Sequence, residues 1–191
     1  MDEVVVVSGL PRSGTSLMMQ MLEAGGVGAW TDAQRAADAD NPAGYFELEA
    51  VKGLARGEDA FLDAAPGRAV KVIHALVKYL PPRHRYAVVF MVRDLAEVVA
   101  SQRVMLERRG GPGPRLDDGR LSAALARQRD EALAWLEGRE GVRVLRVEHR
   151  EAVTLPADVA ERVAAFLGGG LDASAMAGVV RPALHRHRGE G

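Results

Sequence analysis

The sequence predicts an α/β fold in which helices flank a parallel β-sheet. Short apolar segments rich in β-branched residues alternate with segments of helical periodicity, which is typical of βαβ units. The clearest strand covers residues 86–92 (YAVVFMV), a continuous apolar run of the kind found in buried parallel strands. A glycine-containing segment, residues 9–16, separates the first predicted strand from the first predicted helix. Ligands of such sheets bind at the carboxyl ends of the strands, so these turns are where a site is expected.

Each element has its own local signal. The predicted strands are 4–7, 69–73, 86–92 and 142–147. The predicted helices are 15–24, 95–108, 121–137 and 156–167, and residues 46–56 are compatible with one more. Asp94 and Glu97 form a capping box at the start of the second helix. The charged residues Arg143 and Arg146 indicate that the last strand has an exposed side or lies at a sheet edge. Residues 30–44 and 110–119 are expected to be loops, and the basic tail, 185–191, is expected to fray.

Composition excludes several classes of function. The 191 residues, 48% hydrophobic and 27% charged, predict one soluble domain over residues 1–191. The chain has no cysteine, which excludes disulfides, thiolate metal sites and cysteine nucleophiles. A net charge of −1 argues against a nucleic-acid partner. No apolar run is long enough to span a membrane, and no basic, apolar leader opens the chain, so we expect a cytoplasmic protein without a membrane partner.

The segment 9–16 (GLPRSGTS) has the features of a loop that surrounds a phosphate. Glycines let the backbone wrap an anion, and the following helix N-terminus adds a partial positive charge. Nucleotide triphosphatases use G-x-x-x-x-G-K-[ST] at this place. Here Gly9, Gly14 and Ser16 fit that pattern, but Thr15 replaces the lysine, and the positive charge is on Arg12. The missing lysine argues against triphosphate hydrolysis. A tight turn without a ligand is the structural alternative.

The stretch 11–16 (PRSGTS) resembles the 5′-phosphosulfate loop of sulfotransferases that use 3′-phosphoadenosine 5′-phosphosulfate (PAPS). The resemblance implies a P-loop NTPase-like parallel sheet, the compact sulfotransferase fold, with PAPS as cofactor and 3′,5′-adenosine bisphosphate (PAP) as its product. It also implies that the 5′ phosphate and sulfate are held by Arg12, Ser13, Gly14, Thr15 and Ser16.

A second motif follows the central strand, where Arg93 precedes Ser101 by eight residues. The two side chains can hold one anion only if it lies alongside the first turns of the helix, because each residue advances the helix by about 1.5 Å. The structural alternative is that Arg93 pairs with a carboxylate and Ser101 is a small packing residue. Following a buried strand, the motif resembles the 3′-phosphate site of sulfotransferases. Asp94 also resembles the acidic end of a Walker-B strand, although helix capping explains it more simply.

The resemblance extends weakly over most of the chain. Residues 71–74 (KVIH) resemble the strand and lysine of cytosolic sulfotransferases, with a spacing one residue longer. Residues 41–47 (NPAGYFE) resemble a stretch of the bacterial proteins, and 147–148 with 166–168 resemble a later strand and helix end. The chain is short for this family. The insertions that cover adenine and acceptor are therefore either abbreviated or supplied by a partner subunit, and a homo-oligomer follows only in the second case.

Sulfuryl transfer requires in-line positioning and charge stabilisation, as phosphoryl transfer does. Arg12 and Lys71 are the candidate cations for charge on the bridging oxygen. Glu47 and His74 are the candidate bases for the proton of the acceptor. Histidine suits neutral pH without adjustment, whereas glutamate needs burial to raise its pKa. The resemblance slightly favours Glu47.

No metal is expected, because arginines and backbone dipoles can do the work that magnesium does in kinases; His185 and His187 in the tail are interpreted as solvated. The expected acceptor is a small molecule or carbohydrate with a hydroxyl or amine. Trp30, Tyr45 and Phe46 could line its site, although aromatic residues are more often part of a core. The alternatives are a P-loop nucleotide or small-molecule kinase and a non-catalytic nucleotide-binding protein on the same fold.

Overall fold

The computed structural model describes residues 2–32, 44–108 and 117–181. Most of the two predicted loops, 30–44 and 110–119, and the predicted fraying tail with His185 and His187 lie outside the described residues. Within the described part, the longest helix has 20 residues, and no helix is both long and apolar enough to cross a membrane.

Four parallel strands form one sheet in the order β2-β1-β3-β4, counted over the described residues. The strands are β1 (Val4–Gly9), β2 (Ala69–Lys71), β3 (Tyr86–Val92) and β4 (Val142–Glu148). This confirms the predicted α/β class with a parallel sheet. β2 ends two residues earlier than expected, because the chain turns after Lys71 into the 3₁₀ helix that begins at His74.

Helices cover both faces of the sheet. They are α1 (Thr15–Ala24), α2 (Leu95–Arg108), α3 (Asp118–Glu137), α4 (His149–Thr154), α5 (Pro156–Phe166) and α6 (Ala173–Gly178). Three 3₁₀ helices cover Glu49–Arg56, Ala60–Ala64 and His74–Tyr79. The predicted bounds of α1 and α2 are confirmed to the residue. The helix considered over 46–56 is a 3₁₀ helix, and α4 and α6 were not predicted because six-residue helices depend on packing rather than on propensity.

The alternation of side chains along β1 divides the core into two layers. Val5 and Val7 pack with α1, α5 and α6, while Val4 and Val6 pack on the opposite face with α3 and the 3₁₀ helices. All four valines are fully buried, as expected for an inner strand covered on both sides. The two layers fix α1 against the sheet, so the loop that precedes α1 opens at the carboxyl edge.

β4 is an edge strand in the described sheet, which confirms the interpretation of its charged residues. Arg143 donates to Glu3 and to the Phe166 carbonyl, and Arg146 donates to Glu137. Both arginines are exposed. The two arginines lie on opposite faces of the sheet, Arg143 toward α5 and Arg146 toward α3, and charged side chains on an edge strand discourage pairing with another chain.

Candidate anion-binding site

The loop between β1 and α1 is closed by two glycines that have no room for a side chain. A Cβ atom on Gly9 would lie 2.6 Å from the Met91 carbonyl oxygen, so β3 passes directly behind the loop. Gly14 is the N-cap of α1 with φ 97°, a left-handed conformation that favours glycine. Since Gly14 has no side chain to cap the helix, the first amides of α1 are available to bind an anion.

Arg12 connects the two predicted anion sites. Its backbone is left-handed with φ 70°, an uncommon conformation for a residue other than glycine. Its Nε donates to Ser101 Oγ over 2.9 Å, and Arg93 Nη1 donates to the Arg12 carbonyl over 3.1 Å. Ser101 is buried and the Arg93 side chain is 12% exposed. The loop after β1 and the motif after β3 therefore form one contiguous site.

The start of α2 differs in part from the predicted capping box. The Glu97 amide donates to Asp94 Oδ1 over 3.1 Å, which confirms Asp94 as the cap. The Glu97 carboxylate does not complete the box: it accepts from Arg93 Nε over 2.8 Å. A charge-assisted bond to a guanidinium is stronger than one to a neutral amide, which explains the exchange. Arg93 is thus held between a carboxylate and the Arg12 carbonyl.

The hydroxyl residues of the loop face different ways. Ser13 is 1% exposed, its Oγ lies near Gly9, and that oxygen has no hydrogen-bond partner among the described residues. The Ser13 amide donates to the Leu10 carbonyl over 3.2 Å. Thr15 and Ser16, in the first turn of α1, are half-buried. In this conformation the Ser13 side chain points into the protein, while Thr15 and Ser16 lie at the open end of the loop.

Lys71 approaches the same loop from β2. Its ammonium donates to the Tyr45 carbonyl over 2.6 Å and to Ser16 Oγ over 3.3 Å, and it lies 4.0 Å from Glu47 Oε1. The intervening residue, Phe46, has φ 51°, which a bulky side chain rarely adopts. This turn directs the Tyr45 carbonyl and the Glu47 carboxylate to one lysine. The loop lacks the lysine of the nucleotide triphosphatase pattern, and Lys71 from the neighbouring strand β2 places an ammonium group beside the loop instead.

The two candidate bases have different surroundings. The Glu47 side chain is 41% exposed, less buried than a glutamate base was expected to be. His74 begins the 3₁₀ helix after β2, and its Nε2 lies 3.2 Å from Gln128 Oε1 on α3. His74 Nδ1 is buried and has no hydrogen-bond partner among the described residues. Among the described residues, Glu47 is connected to the loop through Lys71, whereas the side-chain contact of His74 is with Gln128 on α3.

Sequence reasoning missed three contributors. The Tyr45 carbonyl carries no side-chain signal, and Gln128 is 54 residues from His74 in sequence. His149, 6% exposed at the start of α4, packs on the loop, since a Cβ on Gly14 would lie 2.5 Å from its Cδ2. Its position two residues after the predicted strand 142–147 was the one available signal.

The aromatic residues considered for an acceptor site belong mainly to the core. Tyr45 is 6% exposed, and Phe46 packs against the α1 layer. Trp30 packs against the opposite layer and meets Phe61 edge to face at 6.1 Å. Among the described residues, no group of three or more His, Asp or Glu side chains is arranged to hold a metal ion.

Comparisons with known proteins rest on structure, because no family model and no curated protein matches the sequence. The sulfotransferase domain of the Synechococcus olefin synthase matches with a TM-score of 0.55 and 15% identity, over 97% of this chain and 83% of that one. A sulfotransferase from Alicyclobacillus acidocaldarius matches with a TM-score of 0.52 and 18% identity, over 91% of this chain and 85% of that one.

A mouse sulfotransferase crystallised with PAP matches with a TM-score of 0.54 and 18% identity. The match covers 95% of this chain and 63% of the mouse protein, so the chain spans less than two thirds of that enzyme. At these identities the matches establish architecture. The fold that the resemblance of residues 11–16 implies is therefore confirmed: the chain has the sulfotransferase fold.

Proposed function

We propose that the protein transfers a sulfuryl group from PAPS to a hydroxyl or amine of a small-molecule or carbohydrate acceptor. One observation carries the proposal: Arg12 hydrogen-bonds Ser101 while Arg93 hydrogen-bonds the Arg12 carbonyl. A nucleotide with phosphates on both its 5′ and 3′ positions requires two anion sites in one place. ATP carries no 3′ phosphate and would leave the second site unused.

The residues present fit such a donor. The glycines let β3 and His149 pack directly on the loop. Donors border it, namely the Arg12 guanidinium, the Lys71 ammonium and the Ser16 hydroxyl, with the Glu97 and Glu47 carboxylates beside Arg93 and Lys71. The amides of Gly14, Thr15 and Ser16 would hold the 5′ phosphate, with the helix dipole adding to their effect. Arg93 and Ser101 would hold the 3′ phosphate, with Arg93 shared with Glu97. PAPS supplies an activated sulfuryl group when bound.

The chain's own residues then have separate tasks. Lys71, held by the Tyr45 carbonyl, offers its charge at the Ser16 end of the loop, and Arg12 offers a second charge from within the loop. Both stabilise negative charge that develops on the leaving oxygen. Glu47, 4.0 Å from Lys71, takes the proton of the acceptor. His74 is the competing base. Its Nε2 lies 3.2 Å from Gln128 Oε1 on α3.

Ligand titration tests this proposal. PAP binds only the folded state, so at 100 times its dissociation constant it should add about 2.7 kcal/mol to the free energy of unfolding. AMP should stabilise much less, because it lacks the group that Arg93 and Ser101 would hold. The measurement is thermal or denaturant unfolding with PAP, AMP and ATP–magnesium in parallel. Equal stabilisation by AMP and PAP would remove the 3′-phosphate assignment, and preferential stabilisation by ATP–magnesium would favour a kinase.

Transfer itself needs a second assay, because a non-catalytic nucleotide-binding protein would also pass the titration. Release of PAP from PAPS in the presence of phenols, sugars, alcohols and amines measures turnover directly. We expect PAP to accumulate with at least one of these acceptors. Binding without release across the whole set would favour the non-catalytic alternative.

A further inference from the structure

His149 is a buried imidazole that the proposed chemistry does not use. It is 6% exposed, although histidines are usually only partly buried. It is the first residue of α4 and follows β4 directly, so it lies at the carboxyl edge of the sheet, where the anion loop opens. Its sequence neighbours Glu148 and Arg150 are exposed, so the chain turns His149 alone of the three inward.

The His149 ring lies against Gly14, the left-handed glycine of the loop. A Cβ on Gly14 would be 2.5 Å from Cδ2, 3.4 Å from Cγ and 3.5 Å from Nε2 of His149. One edge of the ring therefore fills the space where a side chain of residue 14 would be. Gly14 has φ 97° and is the N-cap of α1, so its orientation sets the direction of the first free amides.

We propose that His149 is a positioning residue that forms the rear wall of the anion loop and holds Gly14 in its left-handed conformation. The contact joins the β4–α4 junction to the β1–α1 loop, two segments more than 130 residues apart in sequence. A packed ring behind a glycine limits the backbone motion that this residue otherwise permits. Amides fixed before the ligand arrives lose less freedom on binding, which strengthens binding. The inference depends on the proposed function only for the identity of the anion.

The molecule offers a matched control at the other end of the same helix. A Cβ on Gly25 would lie 2.5 Å from Met176 Cγ, so Met176 of α6 packs on the C-terminal end of α1 as His149 packs on its N-terminal end. Met176 is fully buried and belongs to the core layer that contains α1. Met176→Ala therefore removes a side chain that packs against the same helix, α1, without touching the loop.

The test measures the affinity for PAP and for inorganic pyrophosphate at a temperature where circular dichroism shows each variant folded. We expect His149→Ala to weaken both by about 3- to 30-fold, which lies within the range of coupling between residues in contact. Met176→Ala should change them by less than about twofold, because distant sites act independently, although it should destabilise the fold. His149→Leu keeps most of the volume behind Gly14 and should bind within about threefold of the wild type. These three results together would support the proposal that the His149 ring positions Gly14 by its bulk.

Two results would overturn it. If folded His149→Ala binds both anions as the wild type does, the ring does not position the loop. If His149→Leu is as weak as His149→Ala, the imidazole acts by its nitrogens and not by its bulk. Should His149→Ala fail to fold, His149→Val, which removes less of the volume behind Gly14, takes its place, and a folded valine variant that binds both anions as the wild type does would overturn the proposal.

Pyrophosphate separates this inference from the proposed function. It requires the loop but not the 3′-phosphate site. Wild-type protein that binds pyrophosphate and not PAP would overturn the proposed function, and the variants would then be compared with pyrophosphate. Wild-type protein that binds neither anion would overturn both proposals.

Discussion

The two ends of the sheet use their cations differently. At the amino end, arginines pair with carboxylates: Arg143 with Glu3, and Arg83 with both Asp59 and Asp63. At the carboxyl end, Arg12 donates to a serine hydroxyl, and Lys71 donates to a carbonyl and a hydroxyl. Hydroxyl and carbonyl oxygens satisfy the donors without neutralising the positive charge. At the carboxyl end, Arg12 therefore keeps its positive charge available for an anion, whereas Arg93 is already paired with Glu97 and Lys71 lies 4.0 Å from Glu47.

This contrast distinguishes function from stability in a chain that contains 25 basic residues. Exposed ion pairs contribute little each, with a typical value of about 0–1 kcal/mol. A cation that faces neutral oxygens in a partly buried loop gains more from a bound anion than from its present partners. Substitutions at the carboxyl end should thus affect ligand binding and turnover, and substitutions at the amino end should affect unfolding.

The largest effect is expected for Arg12. Arg12→Ala removes the guanidinium that joins the loop to Ser101, and we expect transfer to fall by at least about 10²-fold, the usual loss for one stabilising donor. Arg12→Lys should recover only part of it, because a point charge does not replace a planar fork. Initial rates of PAP release from PAPS measure the effect.

Arg83→Ala is the matched variant at the amino end. It removes the contacts to Asp59 and Asp63, so we expect a lower free energy of unfolding and an unchanged affinity for PAP. Normal turnover in Arg12→Ala would remove Arg12 from the mechanism. A loss of PAP affinity in Arg83→Ala would show that the two ends are not separate.

The next effect distinguishes the two bases. If Glu47 takes the proton, Glu47→Gln should lose about 10²–10⁴-fold in turnover, the usual contribution of a positioned acid or base, and His74→Ala should lose much less. Both variants should still bind PAP. If His74 is the base, the order reverses: His74→Ala should lose about 10²–10⁴-fold in turnover and Glu47→Gln much less. Turnover and PAP affinity measured across pH decide between them.

Gln128→Ala sharpens that comparison, since Gln128 contacts His74. With Glu47 as the base, this variant should retain most of the turnover. Comparable small losses in Glu47→Gln and His74→Ala would contradict both assignments and require a base elsewhere. A loss of PAP binding in Glu47→Gln would place that segment in the cofactor site.

Local signals in the sequence predicted most of the fold. The apolar run of β3 and the glycines after α1 mark their elements within a few residues, and both bounds agree with the structure. The short helices α4 and α6 have no such signal, because packing against the rest of the chain holds them. Local periodicity describes what a segment does by itself, so elements that depend on distant partners were missed.

The residues of the candidate site were predictable from the sequence, but their arrangement in space was not. The loop after β1 and the motif after β3 each carry a local pattern, yet the bond between Arg12 and Ser101 spans 89 positions. The inward orientation of Ser13 Oγ and the approach of Lys71 to Ser16 likewise depend on where β2 and β3 pass behind the loop. Strand order sets these contacts, and a single sequence does not state strand order.

The smallest effect concerns Glu3 at the amino end, whose pKa is lowered mainly by the hydrogen bond from Arg143, with burial acting in the opposite direction. Because the folded-state pKa lies below the unfolded value, the contact stabilises the protein fully above the ordinary glutamate pKa of about 4.3 and is lost as the pH falls through the folded value. At neutral pH, Glu3→Gln should lower the free energy of unfolding by about 1 kcal/mol or less. Denaturant unfolding at several pH values should show this difference shrinking toward zero in acid, with the affinity for PAP unchanged at neutral pH. Glu151→Gln, which removes the exposed pair with Arg162, is the control and should cost less. A difference for Glu3→Gln that persists undiminished at low pH would mean that packing of the side chain, not its charge, stabilises this end of the sheet.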